Sequence, residues 1–188
     1  MSLNIDLDYI KSILKTLLSD HRYDHSLRVS HEACLLAQHY HVDMDKVSLA
    51  GLIHDAAKEI DVFNSHLAFT DDHIVIYKNY PAVGHAFALD VVIPSYFGSF
   101  PDDVIQAAMW HTSGKENMTD SEKIVFIADF IEPQRAYPQR LEVSKLAYES
   151  LEKAVFEIAS FKLHHLLNDR KSIYSKLVDC YNFYNYIK

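Results

Sequence analysis

Glycine and proline are scarce, at four and five residues in a chain of 188. So few turn formers cannot supply the frequent reversals of a β-sandwich or barrel, and no stretch alternates apolar and polar residues as a half-buried strand does. Apolar residues recur instead at helical spacing, and the sequence predicts an all-α protein. Cysteine is nearly absent. Cys34 and Cys180 lie far apart and belong to no CxxC pair, which excludes a zinc knuckle or thioredoxin-type motif and makes a buried reduced thiol the expectation for each. Positive charge is also short: 18 Lys and Arg against 26 Asp and Glu give a net charge of -8. That balance excludes a broad duplex nucleic-acid surface, so any phosphate must be met locally by a few cations or a metal. No apolar run approaches the roughly 18 residues of a membrane span. The acidic start "MSLNIDLDYI" lacks the features of a secretory signal, so a cytoplasmic location is expected.

Hydrophobic residues make up 49% of the chain, enough to build a core within a single domain over residues 1–188. The first helix should cover residues 7–18 and the second run from Ser19 or Asp20 past Tyr40. Asp43 can cap a third, which carries "VSLAGLIHDAAK". Residues 60–80 read as loops around one short helix capped by Asp71 and Asp72. Pro81 and Pro94 frame a helix holding "AVGHAFALDVVI". Another opens at Pro101 and closes at the "TSG" after His111. Thr119 and Glu122 have the spacing of a capping box before "KIVFIADFI", which Pro133 stops. A long helix from about Leu141 to Leu167 and a tyrosine-rich one from Ser175 complete the chain.

Four polar positions stand out in these apolar helices: His25, the adjacent His54 and Asp55, and Asp129 within "IVFIADFI". An ionised carboxylate in such surroundings is costly unless a cation or several donors meet it. Imidazole nitrogens and carboxylate oxygens suit zinc, manganese or iron, and three or four of them leave positions open for water and substrate. Ala50, Gly51, Ala56 and Ala57 would let the helix bearing His54 and Asp55 approach closely. Lys58 lies one turn beyond His54, and Arg22 three residues before His25, so two cations flank the proposed ion. His85 and His111, on two further helices, could face the same centre, bind a second ion or donate to a phosphate. Taken singly, each of these residues reads more simply as a core histidine or a hydrogen-bonded aspartate. Taken together they do not.

The set resembles the H…HD…D pattern of the HD superfamily of metal-dependent phosphohydrolases. The stretches "HRYDHSLRV", "AGLIHDAAK", "HTSG" and "EKIVFIADFIEPQRAYP", with Tyr181 and Asn182 near the end, are similar to the YqeK family of symmetrical diadenosine tetraphosphate hydrolases, in order over nearly the whole chain. This resemblance implies an HD-type helical bundle and a transition metal held by His25, His54, Asp55 and Asp129. Iron is expected first, ahead of manganese, cobalt, zinc or nickel, with one ion and room for a second. The resemblance further implies that Arg22, Lys58, His85, His111, Thr112 and Arg135 meet phosphates alongside the metal ligands. Tyr137 would contact nucleotide, and Ile173 and Tyr174 would border a nucleoside. The implied reaction converts a dinucleoside tetraphosphate to two nucleoside diphosphates, with Asp55, Lys58, His85 and His111 in the chemistry. The sequence leaves monomer and homodimer open.

The nearest rival reading is another HD phosphohydrolase, a nucleotidase or nucleotide phosphodiesterase. Further off is a non-catalytic helical binding module using "CYNFYNYIK" as a partner surface. "SGKE" at residues 113–116 is no P-loop, because it lacks the glycine spacing, the Ser or Thr after lysine and the preceding strand. His164 and His165 read as a helix surface edge, while His39 and His41 close a helix whose C-terminal dipole suits imidazolium.

Overall fold

A computed structural model describes residues 6–187; the first five residues, on which part of the expectation about a secretory signal rests, lie outside the described residues. Among the described residues the secondary structure is entirely helical. The helices are α1 (Leu7–Leu17), α2 (Asp20–His39), α3 (Met44–Ile53), α4 (Asp71–Asn79), α5 (Pro81–Phe87), α6 (Leu89–Tyr96), α7 (Asp102–Met109), α8 (Asp120–Ile131), α9 (Arg140–Ala147), α10 (Leu151–Asn168) and α11 (Ser175–Ile187). None is long and apolar enough to cross a membrane.

The centre of the bundle is α8. After a polar first turn its sequence is apolar on every side except at Asp129, and every residue from Glu122 to Ile131 is buried, as expected for a helix segment with no solvent face. Helices α2, α3, α7, α9 and α10 pack around it. Buried side chains from Ile10 on α1 to Tyr184 on α11 belong to one continuous core cluster. The capping box at Thr119 and Glu122 forms as its spacing predicts, and Asp43 caps α3 through the Lys46 N–H.

Cys180 is buried as expected but Cys34 is only half-buried, and four expectations about the helices need correction. The third helix does not continue to Lys58: it ends at Ile53, and residues 54–59 form successive turns with Ala56 N–H bonded to Ile53 O and Lys58 N–H to Asp55 O. The cause is local, because His54 Nδ1 lies 2.7 Å from the Gly51 carbonyl and takes the acceptor that the Asp55 amide would need to extend the helix. The segment framed by Pro81 and Pro94 is two helices. Ala88 ends α5 by donating to Gly84 O and starts α6 by accepting from Val91 and Val92, while Pro94 sits inside α6 at the cost of one donor. The long helix expected from Leu141 is broken at residues 148–150, because Ser150 accepts the Lys153 N–H and caps α10. Thr70, not Asp71 or Asp72, caps α4, and the two aspartates occupy its first turn.

Close approach of α2 and α3 requires Gly51. A Cβ there would stand 3.1 Å from Ser30 Cα and 3.3 Å from Ala33 Cβ. That contact brings the two backbones near enough for His25 and His54 to meet.

Candidate metal and phosphate site

Helix ends build the site. His54 follows the last turn of α3, His85 occupies the last turn of α5, His111 lies just beyond α7, and Asp129 is in the last turn of α8. Helix C-termini carry unsatisfied carbonyls and partial negative charge, so their convergence favours a cation. His54 and His111 share one device. Each directs Nδ1 at the carbonyl three residues earlier, Gly51 O and Ala108 O, both at 2.7 Å. A carbonyl only accepts, so Nδ1 carries the proton and Nε2 faces the interior. His25 projects from the second turn of α2, and its Nδ1 lies 3.1 Å from Glu132 Oε1, an acceptor that fixes the same tautomer.

The inward atoms of His25, His54, Asp55 and Asp129 crowd one small volume. His25 Nε2 lies 3.3 Å from His54 Nε2, 3.1 Å from Asp129 Oδ1 and 3.8 Å from Asp55 Oδ2; His54 Nε2 lies 3.5 Å from Asp55 Oδ2 and 3.8 Å from Asp129 Oδ1. Two imidazole lone pairs and two carboxylates therefore face one another, an arrangement that repels itself without a cation. Ligand atoms held about 2.1 Å from one ion stand roughly 3.0–3.4 Å apart in octahedral or tetrahedral geometry, close to these separations. The donor set and spacing fit a divalent metal, and the chemistry of hard oxygen and imidazole nitrogen without thiolate suits several.

Asp55 also faces a second group. Its Oδ1 is buried without an aligned hydrogen bond, 3.1 Å from His85 Nε2 and 3.6 Å from His111 Nε2. His85 Nε2 stands 3.1 Å from His111 Nε2, Thr112 Oγ1 lies 3.0 Å from that same His111 nitrogen, and Lys58 Nζ is 3.2 Å from His85 Nδ1. Arg22 donates to Asp55 Oδ2 at 2.9 Å, and Arg135 pairs with Asp129 Oδ1.

These neighbours set the charges. Burial works against ionisation of Asp55, but His54, His111 and His85 outweigh it and hold the carboxyl well below the usual carboxylate range. For Asp129 burial is likewise outweighed, chiefly by Arg135 with help from His25. Burial opposes charge on His54 too, yet Asp55 and Asp129 raise its pKa. His111 is pushed down by burial to about 3, and His85 is lowered by burial and by Lys58 despite Asp55. His85 and His111 are thus neutral beside ionised carboxylates, whereas those carboxylates favour charge on His54. Burial lowers Lys58, and it pushes Lys162 down to about 8.

A cavity of about 620 Å³ opens onto this centre. Asp55, Asp129, His111, Thr112, Lys58, Arg22, Arg135 and Lys162 form its inner wall, with Lys78, Arg170 and Lys171 farther out. Seven Lys or Arg side chains against two carboxylates line the space, the reverse of the chain's net charge of -8. His25, His54 and His85 stand behind that lining. Tyr174 lines the cavity, edge-to-face with Tyr80 and Phe87, and Tyr137 lines it stacked on Phe130. Ile173 is half-buried but does not line the cavity, whereas Ser172 and Tyr174 on either side of it do.

Two residues of the site are not marked by the sequence pattern. Glu132 is buried and accepts from His25, from Arg28 Nε at 2.6 Å and from the Gln134 amide at 2.9 Å. Its place three residues after Asp129, one helical turn on, is the one signal that points to it. Lys162 donates to the carbonyls of His111 and Thr112. A lone lysine in the apolar run "IASFKL" is the corresponding hint.

The model of the HD domain family matches residues 22–134, and the chain belongs to that family. Two similar proteins share a name. A Staphylococcus aureus protein named symmetrical bis(5'-nucleosyl)-tetraphosphatase is 32% identical over 97% of this chain and 96% of its own length. A Bacillus subtilis protein of the same name is 29% identical over 90% of this chain and 92% of its own. The fold is shared with a crystal structure from Clostridium acetobutylicum, described as a predicted HD superfamily hydrolase involved in NAD metabolism, with a TM-score of 0.82, 28% identity, and 97% and 98% of the two chains covered.

Proposed function

We propose that this protein is a metal-dependent hydrolase that cleaves diadenosine tetraphosphate symmetrically to two ADP. The observation that carries the reading is the joining of the His25, His54 and Asp55 cluster, with Asp129 Oδ1 3.1 and 3.8 Å from its two imidazoles, to a cation-lined cavity in an acidic protein. The family relationship agrees with it, and a cytoplasmic location goes with such a substrate. His25, His54, Asp55 and Asp129 would hold a divalent transition metal; imidazole and carboxylate suit several, and the family resemblance puts iron first. When bound, such an ion supplies Lewis acidity and lowers the pKa of water at the site.

The chain's own residues do the remainder. Lys58, Arg22 and Arg135 neutralise a phosphate chain of high negative charge. His85 Nε2 faces two acceptors, Asp55 Oδ1 and the lone pair of His111 Nε2, so the proton of His85 sits there, while Lys58 Nζ lies 3.2 and 3.3 Å from the two ring nitrogens. That N–H can turn from Asp55 to a phosphoryl oxygen, while the Thr112 hydroxyl can donate to the adjacent oxygen; the neutral His111, its proton held on Nδ1 by Ala108 O, offers only the Nε2 lone pair. Tyr174, with Tyr80 and Phe87 behind it, offers a face for a base, and Tyr137 borders the phosphate side. Cleavage at the middle of the chain follows if the metal cluster, rather than the aromatic wall, meets the central phosphates.

The test is hydrolysis of diadenosine tetraphosphate by the purified, metal-loaded protein with product analysis, repeated with Asp55→Ala. ADP as sole product, and a loss of at least about 10³-fold in the variant, are expected, since Asp55 bridges both groups of ligands. Products of AMP and ATP, or full activity in the variant, would refute the assignment.

A further inference from the structure

Lys162 belongs to α10, outside the span matched by the HD family model. Its Nζ donates to Thr112 O at 2.8 Å and His111 O at 3.2 Å and lies 4.2 Å from the centre of the Phe126 ring. An ammonium has three donors, so two carbonyls leave one unused. No carboxylate pairs with it among the described residues, although Lys58, Lys115, Lys123 and Lys176 all have anionic groups or ring nitrogens at hand. The side chain is half-buried, and its nearest favourable charge, Asp129, lies outside ion-pair distance and is already paired with Arg135. Lys162 lines the cavity, beside Asp129 and Arg135.

We propose that Lys162 is a phosphate-binding residue, an unpaired cation that the backbone of residues 111–112 presents to the phosphate chain of the substrate. The inference rests on the reading of the cavity as a dinucleoside polyphosphate site and adds a contact to it. An incoming phosphate supplies the missing anion to an ammonium that the two carbonyls already hold in place, so little ordering of the side chain is left to do on binding. The same two carbonyl bonds fix Thr112 and His111, so the contact tracks their placement. A purely structural clamp on the end of α7 would use those bonds but gain nothing from a ligand.

The two roles separate in a titration of the manganese-loaded protein and of Lys162→Met, Lys162→Gln and Lys162→Arg with adenosine, ADP and inorganic pyrophosphate, followed by calorimetry. Loss of the charge should weaken ADP and pyrophosphate at least tenfold and leave adenosine within twofold; Arg should restore most of the loss. Equal weakening of all three ligands, or unchanged pyrophosphate affinity in a folded Met or Gln variant, would overturn the proposal. Thermal melts identify any variant that fails to fold, and Gln, which keeps a donor for the carbonyls, then carries the comparison. If the wild type binds pyrophosphate but leaves diadenosine tetraphosphate intact, the substrate assignment falls while the Lys162 contact is still decided by these titrations.

Discussion

Glu132→Gln removes one oxygen and adds one NH2, yet it should damage the site well beyond its size. Glu132 serves three donors as an acceptor-only group: Oε1 receives His25 Nδ1–H at 3.1 Å, and Oε2 receives Arg28 Nε at 2.6 Å and the Gln134 amide at 2.9 Å. Glutamine keeps one acceptor, so one of its orientations turns an NH2 toward His25 and the other turns it toward Arg28 and Gln134. Either way a buried donor meets a donor. Losing one charge-assisted bond costs about 1.5–3 kcal/mol, and the donor–donor clash adds to it, for a total of about 3 kcal/mol. The metal should suffer too, because outer carboxylates on ligating histidines are typically worth about 10–100-fold in affinity. The pH dependence carries its own sign. Burial raises the Glu132 pKa, but Arg28, the Gln134 amide and His25 bring it below the usual 4.5. A depressed carboxyl stabilises the fold above its unfolded value and loses that contribution as pH falls through its folded one. The variant should therefore show its deficit at pH 7 and close on wild type as pH falls below the usual 4.5 and through the lowered value of the folded carboxyl. Urea denaturation of the metal-free proteins across this range, with calorimetric manganese titration at pH 7, reads both effects. Wild-type metal affinity, together with a stability within about 0.5 kcal/mol of wild type, would refute the role given to Glu132.

Two further outcomes follow from the same packing. Gly51→Ala places a Cβ 3.1 Å from the Ser30 backbone, so α2 and α3 must separate by a few tenths of an ångström; the gain in helix propensity offsets part of a cost of about 1–3 kcal/mol, and metal affinity should fall measurably in titration because His25 and His54 move apart. Lys162 has a folded pKa of about 8 against an unfolded 10.5, so the unfolded chain binds more protons between these values and stability rises with pH across that window. Relative to Lys162→Met, the wild type should gain about 2 kcal/mol in urea denaturation between about pH 7.5 and 9.5.

The helices and most of their caps are local matters that the sequence carries. Apolar spacing marks α1, α2, α8 and α11, Asp43 and Thr119 supply caps for α3 and α8, and the all-apolar surround of Asp129 announces a buried anion needing a cation. The H…HD…D pattern picks out His25, His54, Asp55 and Asp129 from residue types and order alone. What periodicity could not reveal was decided by contacts. His54 ends α3 because its ring competes for the Gly51 carbonyl, and a residue that is both helix-compatible and apolar-flanked gives no sign of that choice. Ser150 caps α10 in the middle of an unbroken apolar pattern. Glu132 and Lys162 gain their roles only from groups 107 and 50 or 51 residues away. The sequence by itself determined an all-helical chain with a buried polar set that demands a cation. Only the tertiary structure decided that four helix C-termini meet at one point, because their convergence is a property of how α3, α5, α7 and α8 pack, not of any segment alone.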